Sequence, residues 1–130
     1  MDRDWCDAIQ HGDIKRLRER LASGADINAQ DPHGQTGLMI AASHGQVDVV
    51  RLLIERGALL DHTAKYGLSA IMLAVVNGHV EIVRMLAQAG ADLALRGSGA
   101  PGFYDKTALH LAEARGDRAM VEVLHSRASS

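Results

Sequence analysis

Residues 41–58, AASHGQVDVVRLLIERGA, return 33 positions later as residues 74–91, AVVNGHVEIVRMLAQAGA. Near-identity at a fixed offset calls for a period before any site is sought. The glycines carry that period: Gly12, Gly45 and Gly78 are spaced by 33, as are Gly24, Gly57 and Gly90, while Gly116 follows Gly78 by 38. The chain therefore reads as four copies of one unit, the last delayed by five residues. Within a copy, a small-residue stretch (LMIAASH at 38–44, IMLAVVN at 71–77, LHLAEAR at 109–115) runs into a glycine, which predicts a short helix ending at a turn. Val47, Val50, Leu53 and Ile54, echoed by Val80, Val83, Leu86 and Ala87, then fall on one helical face, and Gly57 or Gly90 closes this second helix.

Val49, Leu52, Ile82 and Met85 lie off that face yet are apolar, so the middle helices need cover on more than one side. Only stacked neighbours supply it, and stacking predicts terminal copies that are polar where the middle ones are apolar. In the first copy Arg16, Glu19 and Arg20 stand at the places of Val49, Leu52 and Leu53, with Leu17 and Leu21 keeping the inward stripe. In the last, Arg118 and His125 stand at those of Val47 and Ile54. Both ends read as caps, and the 130 residues as one complete domain.

The composition agrees: 47% hydrophobic and 23% charged residues are those of a soluble globular protein, and no apolar run approaches a membrane span. MDRDWCDAIQ at the start lacks the basic and apolar regions of an export signal, which makes the cytoplasm the expected location. A net charge of −2 gives no global attraction to nucleic acid or anionic lipid. Cys6 is the only cysteine, with no partner for a disulfide or a CxxC pair, and reads as a small buried apolar residue.

TALHLA at 107–112 differs by one residue, Ala108, from the T-P-L-H-x-A motif of the ankyrin repeat, which the chain resembles over nearly all of residues 4–128. TGLMIA at 36–41 and SAIMLA at 69–74 are looser, with Gly37 or Ala70 for the proline and Met39 or Met72 for the histidine. GADINA at 24–29 and GADLAL at 90–95 are similar to the loop that follows the second helix. The resemblance implies an all-α solenoid of stacked helix-turn-helix units joined by β-hairpin-like loops. Its expected divisions are an N-terminal cap at 1–30, units at 31–63 and 64–96, and a C-terminal cap with an inserted loop at 97–130.

Other motifs give way to the repeat. GSGAPG at 97–102 fits a dinucleotide pattern but lacks the flanking strand, helix and acidic residue that chemistry needs. RGD at 115–117 falls on the turn between the two helices of the fourth unit. His11 and His44 share a register position, but no HxxxH or Cys/His pair supports a metal site. KRLRER at 15–20 is the charged face of a cap, without aromatic residues interleaved to stack on bases. No catalytic motif is found, so no enzyme activity, cofactor or metal is expected.

The resemblance further implies a concave partner surface built from the loop tip before each first helix and from the exposed face of that helix. On this chain the tips are His33 and Gln35, Tyr66 and Leu68, and Tyr104 and Lys106; the helix positions include Gln10 and His11, Ser43 and His44, Val76 and Asn77, and Ala114 and Arg115. Of the four aromatic residues of the Phe, Tyr and Trp type, Trp5 aligns with Leu38 and reads as core, which leaves Tyr66, Phe103 and Tyr104 on tips. Aromatic side chains are frequent anchors of binding hot spots. The expected contact set is thus His33, Gln35, His44, Tyr66, Leu68, Asn77, Phe103, Tyr104, Lys106 and Arg115, with the insertion in RGSGAPGFYDK (96–106) as a protruding finger. The function expected is a monomeric, non-catalytic protein-binding module. The alternatives are a regulatory or inhibitory subunit of a separately encoded enzyme, and a small-ligand protein using the 97–104 loop with His110.

Overall fold

A computed structural model describes residues 2–99 and 102–128. Among these residues eight α-helices follow one another in pairs: α1 (Arg3–His11) with α2 (Ile14–Ala22), α3 (Gly37–His44) with α4 (Val47–Glu55), α5 (Ala70–Val76) with α6 (Val80–Gln88), and α7 (Ala108–Arg115) with α8 (Arg118–Ala128). The pairs stack into two layers. In one, α1, α3, α5 and α7 lie side by side; in the other, α2, α4, α6 and α8 do. Each first helix ends at a tight turn, and Gly45 there holds φ +75°, a left-handed conformation that a residue with a Cβ enters only at a cost.

The stack buries the middle units on both flanks. All residues from Gly37 to Ala42 and from Ala70 to Val75 are buried, whereas α1 buries only Trp5, Ala8 and Ile9, and α7 only Ala108, Leu111 and Ala112. The same gradient runs through the second layer, where α4 buries Val49, Val50, Leu52 and Leu53 but α2 buries Leu17 alone. The polar cap positions of the sequence are thus the outer flanks. At the N-terminal flank Arg16 binds Asp4 through two guanidinium nitrogens, at 2.9 Å from Nε and 3.1 Å from Nη2, and Arg20 pairs with Asp2. Two of the three arginines of KRLRER, Arg16 and Arg20, thus find their anions within the cap.

Trp5 explains one departure from the repeat motif. A Cβ at Gly37 would lie 2.7 Å from Ile9 Cδ1 and 3.1 Å from Trp5 Nε1, so the large indole fits against α3 only because that position is glycine. The motif's histidine is replaced in an equally local way. At α7, His110 Nδ1 accepts the Thr107 N–H at 3.1 Å while Thr107 Oγ1 accepts the His110 N–H; at α3 the Met39 sulfur takes the Thr36 N–H at 3.5 Å.

Two ladders tie unit to unit. On the side of the inter-helix turns, Gln46 Nε2 donates to Gln10 O at 2.6 Å, His79 Nε2 to Ser43 O at 3.1 Å, and Arg115 Nη1 to Val76 O at 3.3 Å. Those three carbonyls are spaced by 33 residues. On the opposite side, the side chains of Asn28 and Asp61 accept the backbone N–H of Leu59 and Asp92, at 2.9 and 2.7 Å. His62 Nε2 donates to Gly34 O at 3.1 Å, since a carbonyl can only accept. The connecting loops pair only briefly, as isolated bridges between Gln30 and Thr36 and between Gly97 and Tyr104.

Candidate functional site

The loop tips begin with Asp31, whose Oδ1 accepts the N–H groups of both His33 and Gln35 at 2.9 Å and so folds the tip into a turn that leaves the His33 side chain exposed. At the next tip Tyr66 itself holds φ +65°, a conformation that costs a non-glycine residue roughly 1–2 kcal/mol. Its neighbours keep it there. Ser98 N–H donates to Tyr66 O at 2.6 Å, the Phe103 ring lies 5.8 Å from the Tyr66 ring at a 33° tilt, and Lys65 Nζ stands 5.0 Å from its centroid.

Between these two tips lies an open hollow of about 220 Å³, lined by His33, Gln35, Ala64, Lys65, Tyr66, Leu68 and Leu73. Four of the ten expected contact residues meet there: His33, Gln35, Tyr66 and Leu68. Leu68 enters only as wall, being 7% exposed. Ala64, Lys65 and Leu73 were not legible as site residues. Lys65 adjoins Tyr66 at a tip, but Leu73 carries the helical pattern of core and gives no separate signal.

The remaining expected residues divide. Tyr104 is 66% exposed, and Lys106 and His44 are exposed as well, outside the hollow's lining. Phe103 departs from the open contact edge expected of it: it is half-buried and packed on Tyr66 and the core, because a phenyl ring next to an exposed tyrosine gains more from covering that ring than from facing water. Asn77 and Arg115 are also tied into the stack. Asn77 Nδ2 donates to Leu73 O at 2.8 Å and to Ser43 Oγ at 3.3 Å, and Arg115 forms the last rung of the turn-side ladder.

The insertion is pinned at its base. Gly97 N–H donates to Lys106 O and accepts the Asp105 N–H at its own carbonyl, both at 2.9 Å, and Arg96 Nη1 donates to Asp105 O at 2.8 Å. Gly97 is buried where a Cβ would lie 2.3 Å from Phe103 O. Two residues of GSGAPG, Ala100 and Pro101, lie outside the described residues. Among the described residues no three His, Cys, Asp or Glu side chains converge as metal ligands, and no helix is long and apolar enough to cross a membrane.

The family model for ankyrin repeats (three copies) matches residues 5–97. The chain belongs to the ankyrin repeat family. Ankyrin repeats are generally modules of protein–protein interaction. The match ends before α7 and α8, yet this last helix pair of the ankyrin stack packs on α5 and α6 as the earlier pairs pack on theirs. Among curated proteins, none matches the chain.

Proposed function

We propose that this ankyrin chain is a non-catalytic module that binds a partner protein through its loop tips and the exposed faces of its first helices. The observation that carries the reading is the open hollow of about 220 Å³ between the tips before α3 and α5, where a tyrosine held at positive φ, a histidine and a lysine surround an apolar wall. Such a hollow gives a partner side chain area to bury, and tips held by stacked units lose little freedom on binding. Tyr104, on the same edge of the next unit, extends the contact.

Affinity capture from the native cell extract tests this, with the wild-type chain and a His33→Ala, Tyr66→Ala, Tyr104→Ala variant as baits. The variant, folded as judged by circular dichroism, is expected to lose the partner that the wild type retains. Equal recovery by both baits would move the contact surface elsewhere on the array.

A further inference from the structure

The hollow between the tips before α3 and α5 has a mostly apolar surface. Ala64, Leu68, Leu73 and the Tyr66 ring make an apolar wall, with Lys65, His33 and Gln35 around it. A cavity of ~150 Å³ lined by apolar side chains holds benzene. About 220 Å³ therefore receives one aromatic or long aliphatic side chain.

The residues that line the hollow include a lysine and no carboxylate. The helices that flank it, GLMIAASH and AIMLAVV, carry no carboxylate. Asp31, beneath His33, directs Oδ1 to the backbone of its own turn. Asp105 is held by Arg96 at 3.5 Å. Lys65 pairs with no carboxylate among the described residues, and its ammonium lies 5.0 Å from the centroid of the ring that bounds the hollow. Tyr66 is fixed in turn by Phe103 and by Ser98, so wall and cation are in place before anything binds.

We propose that the hollow selects an acidic–apolar pair on the partner: an aromatic or long aliphatic side chain enters it, and a carboxylate one or two residues away meets Lys65. A basic residue in that place would face Lys65 and be rejected, so the same lysine excludes as well as attracts. This inference rests on the reading of the tips as a protein-binding surface and names the chemistry of what binds there.

Panning a display library of random peptides on the full chain tests it, followed by fluorescence polarisation with a selected peptide. Enriched sequences should combine an apolar residue with a neighbouring Asp or Glu. Lys65→Glu should weaken the selected peptide about tenfold, and exchanging the peptide's acid for lysine should restore affinity for that variant, as charge reversal across a contact requires. Ala64→Phe, which fills the hollow, should weaken binding of both peptides. Enriched peptides without the pair, or peptides that bind Lys65→Glu as well as the wild type, would overturn this inference and leave the protein-binding reading standing. Enrichment of no peptide, together with no partner in affinity capture, would overturn both.

Discussion

Tyr66 and Gly97 show opposite ways of meeting a close approach of backbone, Tyr66 against the neighbouring loop and Gly97 within the inserted loop itself. Tyr66 accepts a left-handed backbone and is held by neighbouring contacts, whereas Gly97 gives up its side chain so that the Phe103 carbonyl can pass. Gly97→Ala is expected to destabilise by roughly 1–3 kcal/mol, as overpacking does, and to release Phe103 from Tyr66. Urea unfolding and the near-ultraviolet signal of the tyrosines would measure both, and an unchanged midpoint would contradict the packing described. Cys6 is a quieter case. Burial, and then the charges of Asp7 and Asp31, push its thiol up, so little thiolate exists at neutral pH. A thiol reagent should label it more slowly in the native chain than in urea.

Between elements, the ladders decide how firmly one unit sits on the next. His79 lies over the turn at Gly45 and donates to Ser43 O, so His79→Ala should cost about 0.5–1.5 kcal/mol, the usual worth of one hydrogen bond. Equal stability of the variant would mean that the rung carries nothing. The pairing of α1 with α2 has a pH signature. The hydrogen bond from Arg16, more than its charge, holds the Asp4 carboxyl below the usual carboxylate range. A lowered folded-state pKa stabilises above the unfolded pKa and loses that contribution as pH falls through the folded value. Wild type should therefore outlast Asp4→Asn in thermal melts at neutral pH, by a small margin for so exposed a pair, and the gap should close under acid conditions.

In the whole molecule the main helix contacts among the described residues lie within a unit or between neighbouring units, so stability adds up from unit to neighbour. The outer pairs bury one flank and the inner pairs two, a difference carried by the full burial of α3 up to Ala42 and of α5 up to Val75. Amide hydrogen exchange should accordingly be slowest in α3 to α6 and faster in α1, α2, α7 and α8. Uniform protection across all eight would show that the array opens only as one body. The open hollow lies between the tips before α3 and α5, the two helices buried on both flanks, while its rim meets solvent.

The period, the paired helices, the polar ends and the burial of Trp5 were legible in the sequence, because burial in a stack depends on position within the unit and repeats with it. The tips were legible as places for the same reason. What each tip side chain does was not. Arg115 and Asn77 reach back to the preceding unit, Phe103 turns onto Tyr66, Leu68 sinks into a wall, and Lys65 and Leu73 join the hollow. Those outcomes depend on partners some 30 to 40 residues away, at distances of about 3 to 6 Å, and on which way a long side chain leans. A linear pattern records which residue stands at each step of the period; only the packed neighbours decide whether it closes the stack or faces a partner.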